Sequence, residues 1–431
     1  MIRWLWISCL IWLCSRVDTC PIGCWCQNKE VNCNEMRLTD IPEDIPQDAT
    51  TLNLRKNNIK NINSSRLENL SSLSSLNLDG NPLTEIPADL RLMKLVTLAV
   101  AQTKLTEIQL DGANFPLLQI LDFSSSLVTS VGVSTLKNLG LLYMRNLNIG
   151  SFSKPTVTLP ETIRTLDLSD NILVETDIGY LTKLRRLYLR NTRLKTLPSS
   201  TIRIPNTVTS LYLPSNPITQ LDISSLPNLK ELDLRNCGIQ QFLQDSNFKI
   251  ASITHGLYLS DNPLTMLNLT DIPYLRSMEL QNLHLASLSI YAPSLTWLDM
   301  KRTHLNCLSE EQLFAPNILT LDLKNTVIQS LDIRSYGKLR SLSLNQLSTT
   351  KLDKIAFTSS VLARNNLQVG FNKNSISCTC CLSRFFNLTN SGGACKEGQP
   401  VDGIRCGKET CEGSNIRFCP GNFQLLVMFF Y

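Results

Sequence analysis

Histidine is almost missing from this sequence. The chain has three in 431 residues, His255, His284 and His304, each isolated from the others. A metal centre or a nucleophile–base pair needs convergent groups, so neither is expected. His304 near Cys307 reads as packing on one turn, and Glu310 with Glu311 as solvated loop charge. GxSxG and phosphate-loop motifs are also lacking. An excess of one charge is lacking too: the net charge is +5 and the basic residues are scattered, which excludes a nucleic-acid footprint and a polybasic membrane anchor. No apolar run reaches the roughly 20 residues that span a bilayer. Cysteine is nearly absent from the middle, where only Cys237 and Cys307 lie between Cys33 and Cys378. The chain is therefore expected to need no cofactor and not to be an enzyme.

What is present begins at the amino end. Arg3 precedes apolar runs from Trp4 to Ile7 and from Cys9 to Cys14, followed by small Ser15. A basic residue, an apolar stretch of about 11 residues and a small residue have the layout of a secretory signal, assigned to residues 1–15. Cysteine usage agrees, because most of the 15 cysteines sit in two terminal clusters. Cys20, Cys24, Cys26 and Cys33 form one, and seven residues from Cys378 to Cys419 form the other. Without histidine or zinc-ribbon spacing, such clusters read as disulfides of an exported chain.

Between the clusters one pattern recurs: apolar residues spaced LxxLxL, a polar residue three positions on, and a further apolar residue two beyond. Leu73, Leu76, Leu78, Asn81 and Leu83 make one copy; Ile163, Leu166, Leu168, Asn171 and Leu173 make another. Copies begin at Ala49, Leu73, Leu95, Leu118, Leu139, Ile163, Leu184, Val208, Leu229, Thr254, Leu275, Leu295, Ile318, Leu339 and Asn366, with spacings of 20 to 27 residues. This is the period of leucine-rich repeats. The LxL alternation puts two side chains on one face of a short strand and sends the residue between them to the other. One such strand cannot bury its apolar face alone, so successive coils must stack into a continuous core beneath a parallel sheet. The turn asparagine is placed to bond backbone groups of neighbouring coils. Copies with Thr103, Ser126, Thr192, Cys237, Thr303 or Thr326 there should satisfy fewer of them.

From about Ile163 coil lengths alternate near 24 and 21 residues, and similar text returns about every 45. This suggests growth by duplication of coil pairs. The outer connections are rich in Pro, Ser, Thr and Asn, so extended or 3₁₀ segments are expected there rather than long helices. Cys237 and Cys307 lie three coils apart, roughly 14 Å at about 4.8 Å per strand. That exceeds the ~7 Å Cα limit for a disulfide, so both are read as buried free thiols.

The sequence resembles extracellular leucine-rich-repeat proteins with cysteine-rich caps, such as receptor ectodomains, matrix proteoglycans and lamprey variable receptors. CPIGCWCQNKEVNC, from Cys20 to Cys33, looks like their amino-terminal cap, and NSISCTC, from Asn374 to Cys380, like the start of their carboxy-terminal cap. The resemblance implies Cys20 paired with Cys26 and Cys24 with Cys33. It also puts Cys378, Cys380, Cys395, Cys406, Cys411 and Cys419 in disulfides, with pairing left open because seven cysteines cannot all pair. The paired coils also resemble repeats in some oomycete surface proteins. The expected fold is a mostly-β solenoid of the α/β type, a right-handed horseshoe of about 15 coils with a concave parallel sheet and an irregular or 3₁₀ convex side. Its divisions would be a signal peptide (1–15), an amino-terminal cap (16–48), repeats (49–377), a carboxy-terminal cap (378–419) and a short apolar tail (420–431).

Aligned coil by coil, one register of the strand face stands out. The residue after the last strand leucine is Arg145, Arg190 and Arg235, each 45 apart, continued by Lys301 and Lys324. Beside it, between the strand leucines, lie Tyr143, Tyr188, Tyr212 and Tyr258, with Asp122, Asp167, Asp233, Glu279, Asp299 and Asp322 in other coils. Tyr and Arg supply rigid area and bidentate hydrogen bonds, and both are enriched at binding hot spots. Tyr143, Arg145, Tyr188, Arg190, Tyr212, Arg235, Tyr258, Trp297 and Lys301 are thus the candidate ligand-binding residues. Mutual neutralisation on a solvated sheet is the competing reading of the same row. Sequons at Asn63, Asn69, Asn268 and Asn387 fall outside it and would leave it open to ligand.

These readings point to a secreted or cell-surface recognition module with a protein ligand. The alternatives are a secreted inhibitor of a foreign hydrolase and a matrix or wall component binding acidic glycan. A membrane role would require the apolar residues from Leu425 to Tyr431 to be the stub of an anchor.

Overall fold

The structure, a computed structural model, describes residues 20–371 apart from 148, 150, 153–155, 174, 198–201, 244–247, 251–252, 271, 349–353 and 357–366. The signal segment, the cysteines from Cys378 to Cys419, Asn387 and the tail 420–431 lie outside the described residues. The chain forms two compact units, Met1–Arg193 with Ser199–Val208, and Leu194–Pro198 with Thr209–Tyr431.

Each unit is a parallel, mostly-β solenoid, and each LxxLxL copy supplies one three-residue main strand. In the first unit these are Thr51–Asn53, Ser75–Asn77, Thr97–Ala99, Ile120–Asp122, Leu141–Tyr143, Thr165–Asp167 and Arg186–Tyr188. In the second they run from Ser210–Tyr212 through Glu231–Asp233, Gly256–Tyr258, Ser277–Glu279, Trp297–Asp299, Thr320–Asp322 and Ser341–Ser343 to Gln368–Gly370. The middle residue of each strand points inward. Leu52, Leu76, Leu98, Leu121, Leu142, Leu166 and Leu187 stand in register, none more than 2% exposed. Burying a leucine contributes about 1.5–3 kcal/mol, so this column and the leucines flanking each strand hold neighbouring coils together.

The turn asparagines work across coils. The Asn171 amide donates to the Met144 carbonyl of the preceding coil at 2.7 Å and to Leu168 at 2.9 Å, while its oxygen accepts the Leu147 N–H at 2.9 Å. Asn57, Asn81 and Asn262 repeat the scheme. Thr103 and Thr326 each donate one bond, to the carbonyl three residues before. The reading that such copies satisfy fewer groups holds.

Just before that position the backbone turns left-handed once per coil. Lys56, Gln102, Ser125, Asn146, Asp170 and Asn191 in the first unit have φ between 50° and 61°, with Gly80 at 68°. Asn and Asp tolerate this region better than other non-glycine residues. The main strands continue past it: the Asp170 N–H reaches the Arg190 carbonyl at 2.7 Å and the Ser125 N–H reaches Arg145 at 2.7 Å.

The outer connections carry short parallel strands, and no 3₁₀ helix occurs among the described residues. Their arrangement explains the alternation of coil lengths. The longer coil from Leu139 carries two outer strands: Val157–Thr158 ends a ladder begun at Glu107–Gln109, and Ser151–Phe152 starts the next. The coil from Leu229 does the same with Phe248–Lys249 and Gln241–Leu243, and that from Leu295 with Leu313–Phe314 and Cys307–Leu308. The extra residues of a long coil are those that pass one ladder on to the next.

At the amino end Trp25–Gln27 pairs antiparallel with Glu30–Asn32, which pairs parallel with Thr51–Asn53. Disulfides Cys20–Cys26 and Cys24–Cys33 hold this hairpin, and they fit a cysteine cap. It covers the edge that the first coil would otherwise expose. The single helix among the described residues, Ser64–Glu68, is anchored to the same region by Arg66, which pairs with Asp40 at 2.8 Å and Glu43 at 2.6 Å. Cys237 is buried and free, as read from the sequence. Cys307 is not: it is disulfide-bonded and only half-buried. The spacing argument excluded only a bond between Cys307 and Cys237, and left every other partner open.

Candidate functional site

The strand aspartates have a folding task before any other. An Asp at the third strand position accepts the backbone N–H two residues on: Ser124 to Asp122, Ser169 to Asp167, Arg235 to Asp233, Lys301 to Asp299 and Lys324 to Asp322, all at 2.9–3.0 Å. Such Asx turns end each strand and steer the chain into the left-handed residue. This is why Asp recurs in a row where the sequence also offers Tyr.

In the second unit the candidate cations are used internally. Arg235 forks onto Asp233 with Nε–Oδ1 3.0 Å and Nη2–Oδ2 2.6 Å, and its guanidinium stands 5.8 Å from the Tyr258 ring centre. Lys301 is shared by Asp299 at 2.8 Å and Asp322 at 3.3 Å. The phenols of Tyr212 and Tyr258 both donate to Glu231, at 2.7 and 3.1 Å. Burial first, and then the Glu231 charge, push the Tyr258 phenol up to about 12. Trp297 lies half-buried at a strand start. In the second unit, Arg235, Lys301, Tyr212 and Tyr258 are thus all engaged by carboxylates of the same sheet.

In the first unit the row is more open. Tyr143 and Tyr188 flank Asp167 in register. The Arg145 guanidinium lies 5.6 Å from the Tyr143 ring centre, with Nε 3.4 Å from Asp167 Oδ2. Arg190 is exposed and has no ion pair among the described residues. A cavity of about 640 Å³ opens beside Arg145 and runs back along the coils to Arg55. Asp79, Gln102, Asp122, Ser124, Asp170 and Asn191 also line it.

Part of that lining was readable and overlooked. Arg55 follows Leu54 and Asp79 follows Leu78, the same register as Arg145 after Met144. Extending the alignment of the basic row toward the amino end would have included them. Gln102, Asn146, Asp170 and Asn191 belong to the left-handed row, whose conformation has no signature in any single coil. Burial raises the Asp79 carboxyl above its ordinary range, and the nearby Asp122 charge adds to the effect.

The isolation of the histidines is corrected in one respect. Although 20 residues apart in sequence, His284 and His304 occupy equivalent positions on consecutive coils, and their rings stack with centres 4.2 Å apart. No cluster of metal-ligating side chains occurs among the described residues, and no helix there is long and apolar enough to cross a membrane. Asn63 and Asn69 flank the short helix, and Asn268 lies on an outer strand; all three are exposed.

Stacked similar coils, turn asparagines that bond across coils and a cysteine-held amino hairpin define the architecture. The fold is a leucine-rich-repeat solenoid. A leucine-rich-repeat family model matches residues 182–239. Biglycan of Xenopus laevis is 38% identical over 60 residues, 14% of this chain and 16% of that protein. The platelet glycoprotein Ib alpha chain of Mus musculus is 32% identical over 131 residues, 30% of this chain and 18% of its own. The matched stretches thus span less than a fifth of either relative. Among solved structures, a leucine-rich-repeat protein of Leptospira interrogans superposes with a TM-score of 0.52 at 23% identity, covering 76% of this chain and 90% of that one.

Proposed function

We propose that this chain is a recognition module of the cell exterior that binds a protein partner on the solvent-facing side of its main sheet. The observation that carries the reading is the first-unit cavity, where side chains from successive coils converge on an open polar groove lined by Arg145, which stands over Tyr143. Stacked coils present such side chains on a rigid frame, and groups held in advance lose little entropy on binding. The amino-terminal disulfides support an oxidising, extracellular setting. The resemblance to surface and matrix leucine-rich-repeat proteins supports a binding role rather than a catalytic one. The assigned signal segment and the sequons at Asn63, Asn69, Asn268 and Asn387 agree with passage through the secretory route.

The test is a binding screen of the disulfide-intact protein against secreted and cell-surface proteins, with the double variant Arg145→Ala/Arg190→Ala alongside. Capture of a partner by the parent but not by the variant, at unchanged melting temperature, is the expected result. Capture that the variant retains would remove the strand face from the reading.

A further inference from the structure

The groove of the first unit carries charges of both signs. Arg55 is followed on successive coils by Asp79, then by a coil offering Ala99, Ala101 and Gln102, then by Asp122, Arg145 and Asp170. The two alanines leave an open floor between the carboxylates of the coils on either side. One oxygen of each carboxylate is engaged within the fold: Asp79 by the Ala101 N–H at 2.7 Å, Asp122 by the Ser124 N–H at 2.9 Å, and Asp170 by the Asn191 amide at 3.0 Å. The Asn77 side chain also bonds the Asp79 carboxylate, whereas Asp122 takes only the Ser124 N–H among the described residues. Asp122 lies close enough for its charge to act on Asp79. Beyond Asp122 stands Arg145, held by its 3.4 Å approach to Asp167 and by the Tyr143 ring, and two coils from it stands exposed Arg190.

We propose that this groove takes a polypeptide segment carrying both signs of charge. A lysine or arginine of the segment sits over Ala101 between Asp79 and Asp122, and a carboxylate of the segment meets Arg145 and Arg190. The proposal rests on the protein-binding reading above and specifies the chemistry of the partner. A uniformly anionic polysaccharide would meet three carboxylates along the same groove, and a polycation would meet two guanidiniums, each a like-charge contact that disfavours binding. Only a mixed-charge ligand complements the whole sequence of signs, and a peptide supplies one readily.

The probe is a displayed library of random peptides of about 12 residues, long enough at about 3.3 Å per residue to cross several coils, with heparin as a polyanion control. Enriched peptides are expected to carry a Lys or Arg within about four residues of an Asp or Glu, the distance that spans about three strands. Two double variants test the acidic floor of the groove and the basic side chains at and beyond its end: Asp79→Asn/Asp122→Asn, which keeps an oxygen for each structural bond, and Arg145→Ala/Arg190→Ala. Each should weaken capture of the enriched peptides by at least about tenfold, the equivalent of about 1.4 kcal/mol. Lys338→Ala, at an exposed position of the second unit outside the candidate row, should leave capture unchanged. Enrichment of purely acidic peptides, or heparin binding that Asp79→Asn/Asp122→Asn strengthens, would show an anion site and overturn the proposal while keeping the strand face. Absence of enrichment, or peptides indifferent to both double variants, would overturn the protein-binding reading itself. Melting temperatures of all variants separate loss of binding from loss of fold.

Discussion

The amide oxygen of Asn262 accepts the backbone N–H of Cys237, one coil earlier, at 2.9 Å, and that of Ile239 at 3.1 Å. The Asn262 amide nitrogen meanwhile donates to Leu234 and Leu259, both at 2.8 Å. The Cys237 coil has no turn asparagine of its own, and its turn N–H groups are met by the next coil's, as Asn81 meets that of Ile59. Asn262→Ala should therefore cost about 3 kcal/mol, since several buried backbone groups lose their partners together. Thr326→Ala, which removes one side-chain bond, should cost about 1 kcal/mol. Shifts in urea midpoint, with amide exchange localising the loss to the Cys237 turn, check both. Equal costs would show that the asparagine bonds are not what joins the coils.

Burial pushes the Cys237 thiol up to about 12, and the residue is 2% exposed. It should not react with a thiol reagent in the native protein, because neither thiolate nor access is provided. In denaturant without reductant the same protein should reveal it. Mass mapping of the label would settle the site, and fast native labelling at Cys237 would contradict the packing described.

The two basic rows should respond differently to truncation. Arg235→Ala strips the forked guanidinium from Asp233, which keeps the backbone N–H of residue 235 but whose side chain is 2% exposed, and should destabilise by about 1–3 kcal/mol. Arg145→Ala breaks a longer contact to a carboxylate that keeps its Ser169 N–H, and should cost under about 1 kcal/mol. Thermal melts of the two variants make the comparison. The reverse order would place the free guanidinium in the second unit instead of the first.

Tyr258 should ionise near 12, above the ordinary phenol value of 10. The folded state holds this proton more tightly than the unfolded chain does. The corresponding stability is thus present below pH 10 and falls as pH rises from there toward about 12. Absorbance titration of the parent against Tyr258→Phe should show one late-ionising tyrosine lost in the variant.

The strand positions, the inward column and the cross-coil asparagines could be read from the sequence because each follows from a short spacing repeated many times. Leu76 and Leu166 are interchangeable in that logic, so one error in alignment would have been outvoted. The site lacked this redundancy. Whether Arg235 or Arg145 is free depends on the carboxylate two positions earlier: Asp233 receives a forked guanidinium from its own coil, whereas Arg145 follows Tyr143 and must reach Asp167 on the next. The row of left-handed residues accommodates Lys56, Gln102 and Ser125 as well as Asn146, so composition does not mark it. The stacking of His284 on His304 arises from coil length alone, as two histidines fall at one angular position of consecutive turns.

Between Leu139 and Leu229 the outer ladders change hands only in the longer coils. Loss of a single coil there would strand one outer ladder without its successor, whereas loss of a long and a short coil together would rejoin equivalent edges. Within that stretch coils are therefore exchangeable in pairs, while the four-stranded ladder from Gln241–Leu243 to Leu313–Phe314 holds one short coil more. Recombination that respects this pairing can resize the array while leaving every seam closed, which gives a lineage a route to new surfaces without a new fold.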